Sequence, residues 1–171
     1  MKLNAGTFSL VPQVVDRVSV PVVAAGGIAD ARGIIAAFAL GAEGVQMGTA
    51  FLACEGSGAS EHHRQQLLSG RAGRTALTRG FTGRLGRGIE NQLLDDLNRP
   101  GVEFLPYPLQ RALVKHLTGL AEQAGNPDLT PMWAGQSANL SRHTDAATLL
   151  QSLVSEVSSI AGAVLEWNSS R

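Results

Sequence analysis

Two glycine-containing turns follow two apolar runs near the start of the chain, and their residue types suit the binding of an anion. The run VPVVAA is followed by Gly26 and Gly27, and the run GVQM by Gly48 and Thr49. Because glycine has no Cβ, its backbone can approach a ligand closely and direct N–H groups toward it. A helix that begins at Thr49 would add its positive end and a hydroxyl donor. Together the turns predict a phosphate-binding site, and the alternative is that the glycines only shape two tight turns.

The elements around these turns follow the pattern of a parallel α/β sheet. The apolar run from Val20 to Ala25 does not alternate with polar residues, which predicts a strand covered on both faces. Asp30 is expected to cap a helix and Gly41 to end it in the left-handed conformation. Helix, strand, helix and strand with short connections indicate right-handed crossovers. The predicted elements are helices over 9–18 and 31–40, the second with Ile34, Ile35 and Phe38 facing inward, and strands over 20–25 and 44–47.

The middle of the chain is less regular. The stretch LSGRAGRTALTRGFTGRLGRGIEN mixes glycines with arginines and predicts a long, partly irregular connection. Arg79, Arg84 and Arg87 lie in this stretch, where they form either an anion patch or part of a solvated connection.

Two helices are predicted toward the end of the chain. One covers 108–124 and places Leu109, Leu113, Leu117 and Leu120 on one face. The other covers 145–165 and is expected to pack against its own domain, because its apolar pattern lasts only about three heptads. The predicted divisions are 1–53 with the phosphate-binding units, 54–105 as the irregular connection and 106–171 as a helical segment.

The remaining ligating and nucleophilic residues predict neither a metal site nor a catalytic nucleophile. His62 and His63 are adjacent and would point about 100° apart on a helix, so we expect both at the surface without a metal. His116 and His143 have no acidic partner at a useful spacing, which indicates structural or exposed positions. Cys54 has no evident activating base and is expected to be buried and unreactive.

Composition favours a small-molecule partner. The 171 residues suit one domain of ordinary size, and 14 basic residues balance 14 acidic ones. This balance gives no reason to expect nucleic acid or an anionic membrane as a partner. With one cysteine and neither a leader-like segment nor an apolar run of membrane-spanning length, the sequence predicts a cytoplasmic protein.

Four motifs occur in an order that resembles one enzyme family. They are AAGGIADARGIIAAFALGAEGVQMGTAFLA, ALTRGFTGRLGRGIEN, PYPLQ and WAGQ, and they extend to about Gln136. The first also resembles other flavin barrels and inosine monophosphate dehydrogenases, whereas the later motifs are more specific. In this order they resemble the C-terminal part of nitronate monooxygenases, formerly called 2-nitropropane dioxygenases.

The resemblance implies a (β/α)8 barrel, here its C-terminal portion followed by a helical segment. It also implies non-covalent binding of FMN and oxidation of alkyl nitronates by molecular oxygen. In such barrels the loops after the last two strands form the common phosphate site. The residues that match FMN-contacting positions are Gly27, Gln46, Met47, Gly48 and Thr49, with Gly26 close by.

The chain departs from the family pattern in two respects. Only two strands of barrel type are predicted, so about six of the eight are missing. Asn4 stands where the family motif has a histidine near the substrate, and an amide cannot accept a proton at neutral pH. We therefore expect a truncated chain that is inactive alone and that forms oligomers, aggregates or requires a partner through its exposed strand edges. The alternatives are a non-catalytic remnant that binds flavin or phosphate, and a barrel enzyme of the inosine monophosphate dehydrogenase type.

Overall fold

The computed structural model describes residues 5–169. Within this range the chain forms two compact units, one made of the residues before Ala59 together with those after Asn139, and the other of Ala59–Asn139. In chain order the helices and strands are α1 (Thr7–Val15), β1 (Val23–Ala25), α2 (Ala31–Ala39), β2 (Gly44–Gln46), α3 (Thr49–Leu52), α4 (Glu61–Leu67), β3 (Thr75–Thr78), β4 (Gly86–Ile89), α5 (Gln92–Leu97), α6 (Leu109–Gln123) and α7 (Ala146–Ser169).

The strands of the first unit pair in parallel, as the sequence predicts. Val23 lies opposite Gly44, and Ala25 lies opposite Gln46. The predicted order of helix, strand, helix and strand is also confirmed. β1 begins at Val23 rather than earlier in the apolar run, and Pro21 has no N–H that could contribute to earlier pairing.

The ends of α2 follow from its sequence, but its buried face differs from the prediction. The Asp30 carboxylate accepts hydrogen bonds from the first backbone N–H groups of the helix, and Gly41 follows its end with a φ of 93°. Phe38, predicted to face inward, is 45% exposed. Ile34 is buried as predicted, but its buried neighbours on the helix are Ala31 and Ala37. The helix is therefore rotated so that Ile34 and two alanines face the core, while Phe38 does not.

The prediction that β1 is covered on both faces is wrong within residues 5–169. Ala24 is buried in the core, whereas Val23 is 58% exposed and Ala25 is also exposed. Alternate residues of a strand point to opposite faces, so one face of β1 packs on the core and the other does not.

α7 packs against α2 within the same unit, as the sequence predicts. Leu149 and Leu153 are buried in the shared core, while Leu150 and Val154 on the same helix are exposed. No helix among the described residues is long and apolar enough to cross a membrane.

The second unit is built around an antiparallel hairpin that the sequence did not predict. Thr75 of β3 lies opposite Ile89 of β4, and Trp133 adds a bridge to Gly88. The core of the unit contains Phe81, Leu93, Leu94 and Val114. The stretch predicted as a long, partly irregular connection therefore contains a regular two-stranded sheet.

Close packing explains the glycines of this hairpin. A Cβ at Gly88 would lie 2.7 Å from the Phe81 ring and 2.8 Å from the Met132 carbonyl oxygen, and a Cβ at Gly86 would lie 2.4 Å from the Trp133 ring. A glycine inside a strand often marks such a close approach.

The leucine face predicted for α6 is not the face that packs. Gln110, Val114 and Ala121 are buried. The four predicted leucines are between 44% and 57% exposed: Leu109, Leu113, Leu117 and Leu120. The apolar periodicity identified the helix but assigned its core to the wrong side.

Candidate functional site

The two glycine turns leave neighbouring strands at the same end of the parallel pair. Because Ala25 lies opposite Gln46, the residues that follow, Gly26 and Met47, start the two turns at the same level. Paired strands are about 4.8 Å apart. The two turns therefore begin close enough for one small anionic group to contact both.

The first turn has a backbone conformation that requires glycine. Gly26 and Gly27 have φ values of 106° and 75°, which residues with a Cβ rarely adopt. The Thr7 hydroxyl lies 2.7 Å from the carbonyl oxygen of Gly26 and 3.2 Å from that of Ala25, to which it can donate. This contact from α1 holds the turn in place. Conformation alone is thus a sufficient reason for these two glycines.

Gly48 is different because neither its conformation nor its packing requires glycine. Its φ of −94° is accessible to any residue. A Cβ built at Gly48 meets no atom within 4 Å, so the space beside its backbone is open. A glycine that the described residues do not explain is consistent with close approach of a ligand to the backbone.

The residues beside Gly48 contribute in different ways. α3 begins at Thr49, as the sequence predicts, but has only four residues. Few aligned peptide groups give a small dipole, so local N–H groups would supply most of the attraction for an anion. Gln46 is exposed, whereas Met47 is partly buried against the core. Gln46 is therefore available to a ligand, and Met47 anchors the turn.

The acidic residue nearest the first turn along the chain is compensated. Asp30 caps α2 and forms an ion pair with Arg32. The side-chain hydrogen bond from Arg32 is the main reason why the pKa of Asp30 is lowered. The same guanidinium charge offsets the repulsion that this carboxylate would exert on an anion.

Cys54 is buried as expected. Its side chain is 2% exposed, and Sγ lies 3.6 Å from the carbonyl oxygen of Ala50. Burial raises the pKa of the thiol, with a smaller contribution from Asp145. The thiol is therefore protonated near neutral pH and is a poor nucleophile.

We expect Cys54 to react slowly with a thiol reagent such as 5,5′-dithiobis(2-nitrobenzoate) in the folded protein. Denaturation should expose one reactive thiol per chain, since Cys54 is the only cysteine. The absorbance of the released thiolate measures both rates. Equal rates in buffer and in denaturant would contradict the burial of this side chain.

His63 is not at the surface, contrary to the sequence prediction. It is 8% exposed, and its Nε2 lies 2.9 Å from the carbonyl oxygen of Trp133, so Nε2–H must be the donor. Burial is the main reason why the pKa of His63 is lowered from its ordinary value of 6.5. The neighbouring His62 is partly buried rather than fully at the surface. His116 is exposed and His143 lies in a loop, which agrees with the structural or exposed positions predicted for these two residues.

The lowered pKa of His63 predicts a pH dependence of stability. Below about pH 6.5 the unfolded chain binds a proton at His63 more readily than the folded chain does, so the free energy of unfolding falls as the solution becomes more acidic. In His63→Gln the amide can keep the hydrogen bond but does not titrate over this range. Urea unfolding between pH 7 and 5 should therefore show a smaller loss for this variant than for the wild type. His116→Gln, which removes an exposed histidine, serves as the control, and an equally reduced loss in both variants would contradict a specific role of His63.

The structure separates the roles of the three arginines. The Arg84 guanidinium lies over the Tyr107 ring, 4.4 Å from its centroid, and Arg87 donates to the Thr75 carbonyl oxygen at 3.0 Å. Both help to hold the second unit together, while Arg79 is exposed. Neither of the two sequence interpretations included this structural role.

Sequence reasoning also missed Gln110, the last residue of PYPLQ. Its side chain is 3% exposed, accepts a hydrogen bond from the Leu105 N–H and donates to the Gly80 carbonyl oxygen at 2.7 Å. A polar residue on the buried side of α6 was the available signal, but the leucine pattern pointed to another face. Asn4 lies outside the described residues.

Parallel strands joined through a helix, with glycine turns at their carboxyl ends, define a protein of mixed helices and strands with a β/α unit. Residues 1–156 match the family model for nitronate monooxygenase. The chain therefore belongs to the nitronate monooxygenase family.

Relatives and solved structures agree with this assignment. The chain is 43% identical over 155 residues to a probable nitronate monooxygenase of Staphylococcus aureus, covering 91% of the chain but 44% of that protein. A nitroalkane oxidase from Streptomyces ansochromogenes matches with a TM-score of 0.85 and 38% identity, over 93% of this chain and 45% of the other. FabK from Thermotoga maritima matches with a TM-score of 0.78 and 30% identity, over 96% and 53% of the two chains. The chain thus spans about half or less of the length of these proteins.

Proposed function

We propose that this chain is part of an FMN-dependent nitronate monooxygenase that oxidises alkyl nitronates with molecular oxygen. The observation that carries the proposal is the pair of glycine turns at adjacent strand ends in a member of this family. Family membership favours this function over an enzyme of the inosine monophosphate dehydrogenase type.

The residues present fit the phosphate end of FMN. The open space beside Gly48 admits a group against the backbone, and Thr49 begins the short helix that follows this turn. In this proposal Gly26, Gly27 and Met47 complete the two turns, and the exposed Gln46 side chain faces the cofactor. FMN would supply the redox chemistry, while these residues bind and orient it.

We also propose that β1 and β2 belong to a (β/α)8 barrel. Val23 and Ala25 are exposed on the face of β1 that does not pack on the helices. In such a barrel one face of each strand packs against the outer helices and the other fills the interior with side chains. The relatives, of which the chain covers about half or less, have the additional length that a complete barrel needs.

The chain alone is proposed to lack turnover, because the amide of Asn4 cannot act as a base where the resemblance places a histidine. The second candidate function, non-catalytic binding of flavin or phosphate, shares the same site. Oxygen uptake by the whole protein in the presence of a nitronate distinguishes the two candidate functions, since only the enzyme consumes oxygen.

Titration with two flavins tests the proposal. FMN should bind weakly, which its fluorescence will report as quenching or a spectral shift, and it should be lost on desalting. Riboflavin has no phosphate and should bind at least about tenfold more weakly than FMN. With FMN present, propyl nitronate should cause no measurable oxygen uptake by the chain alone. Equal affinities for FMN and riboflavin would contradict phosphate recognition, and steady oxygen uptake would contradict the proposed lack of turnover.

A further inference from the structure

The outer side of α6 carries a row of leucines whose exposed halves are uncovered within residues 5–169. The leucines follow one another at intervals of four, four and three residues, and each is about half exposed. Such spacing keeps side chains on one face of a helix and is typical of the seam between two packed helices. We call this row the leucine seam: Leu109, Leu113, Leu117 and Leu120.

The residues beside the leucine seam leave room for a second helix. On the solvent side of the seam, the helical period places Ala112, His116, Gly119 and Gln123. None of these four has a formal charge when histidine is neutral, and a Cβ at Gly119 would meet no atom within 4 Å. The surface is therefore low and uncharged. Another helix can approach the seam without burying an unpaired charge.

The spacing of the leucines suits pairing of α6 with a reversed copy of itself. When two such helices lie antiparallel with Leu117 level with its counterpart, Leu113 lies level with Leu120 of the second copy. Each of these leucines then meets a leucine. An interface across a two-fold axis requires this kind of self-complementary surface.

The charges of α6 favour the antiparallel orientation over the parallel one. Arg111 and Lys115 lie in the first half of the helix, and Glu122 lies in its last turn. In an antiparallel pair the basic half of each helix lies beside the acidic end of the other, whereas a parallel pair places like charges at the same level. The formal net charge of the whole chain is zero, so two copies have no net charge repulsion to overcome.

We propose that two copies of this chain associate through antiparallel pairing of their α6 helices, with Leu117 next to the two-fold axis. The seam occupies one helix of 15 residues, which is small beside the roughly 1,200–2,000 Å² that stable interfaces bury. The dimer is therefore weak, with a Kd of roughly 10–500 µM. The inference does not rest on the proposed function, because it uses only residues of Ala59–Asn139.

Sedimentation equilibrium of the full chain tests the association. The mean mass should rise from 17.9 kDa toward twice that value as the protein concentration increases. Leu120→Gln should raise the dimer Kd about tenfold or more, because it removes an exposed leucine from the seam. The matched control is Leu85→Gln, which removes an equally exposed leucine between β3 and β4 and should dimerise like the wild type. A wild-type chain that stays monomeric at millimolar concentration, or equal effects of the two substitutions, would overturn the proposal.

Disulfide cross-linking tests the orientation. Leu117→Cys should form a disulfide between two copies under mild oxidation, because the two-fold axis brings the two cysteines together. In Leu113→Cys the two cysteines would be offset by about eight residues, or about 12 Å along the helices, which exceeds the Cα separation of about 7 Å that a disulfide allows. This variant should therefore remain monomeric on a non-reducing gel. The wild type should also give no cross-link, because Cys54 is buried. Equally fast cross-linking of both variants, or of neither, would contradict the antiparallel pairing.

Discussion

The Gly48→Val variant should fold normally but bind FMN about 10–100-fold more weakly than the wild type. Valine accepts the φ of −94° at this position, and its Cβ meets no neighbouring atom within 4 Å. Its branched side chain would occupy the space that we assign to the phosphate and keep that group away from the backbone. Hydrogen bonds to charged groups contribute about 1.5–3 kcal/mol each, and 1.4 kcal/mol corresponds to a tenfold change in affinity.

The matched control for this variant is Gly56→Val. Gly56 lies in the same unit, has open space around its Cβ position and does not have a positive φ. This variant should keep wild-type affinity for FMN in the same fluorescence titration. Equal affinities of Gly48→Val and Gly56→Val would show that the second turn does not contact the cofactor.

The Gly88→Ala variant should be the most destabilised of the single-methyl substitutions considered. The added Cβ would lie 2.8 Å from the backbone carbonyl oxygen of Met132, which accepts a hydrogen bond from the Ile89 N–H. The same Cβ would also lie 2.7 Å from the Phe81 ring. To relieve both clashes, the backbone at Gly88 must move away from the backbone at Met132. Overpacking of this kind costs about 1–3 kcal/mol. The midpoint of thermal unfolding should fall by roughly 2–4 °C per kcal/mol for a protein of this size.

Gly119→Ala provides the comparison for that prediction. Gly119 lies inside α6, and its added Cβ would meet no atom within 4 Å. Alanine is favoured over glycine in a helix by about 1 kcal/mol, so the unfolding temperature should stay the same or rise. A fall in Gly119→Ala as large as that in Gly88→Ala would mean that close packing is not the reason for Gly88.

The sequence predicted the first unit better than the second for a physical reason. Around β1 and β2 the signals are local: Asp30 caps a helix, Gly41 ends it and short apolar runs precede glycine turns. Each of these depends on neighbours in the chain. What could not be predicted was the uncovered face of β1, because an apolar run does not reveal which of its faces the rest of the chain covers.

In the second unit the decisive contacts are distant in sequence. A glycine such as Gly88 normally weakens a strand, and its use here is explained only by the backbone of Met132, which is distant in sequence but packs beside it. His63 reads as a surface residue until its contact with the carbonyl oxygen of Trp133 is known. The leucines of α6 form a regular stripe, yet Val114 on another face enters the core. Periodicity identifies a helix, but only tertiary packing selects its buried side.

The candidate site was predictable to the extent that it depends on strand ends. Parallel pairing was expected from the order of elements, and it places the turns at Gly26 and Gly48 side by side. The structure adds that Gly26 and Gly27 have positive φ values while Gly48 does not. The backbone angles and the packing around each residue are needed to distinguish a glycine that the turn conformation requires from one that has open space beside it.

NMR of protein labelled with 15N-glycine tests the shared phosphate contact most directly. The amide signals of Gly26, Gly27 and Gly48 should shift when FMN or inorganic phosphate is added, and riboflavin should leave them nearly unchanged. The other 17 of the 20 glycines act as internal references, and most of them should not move. If FMN and riboflavin shift the same signals equally, or if FMN shifts only glycines away from these two turns, the proposed cofactor site is wrong.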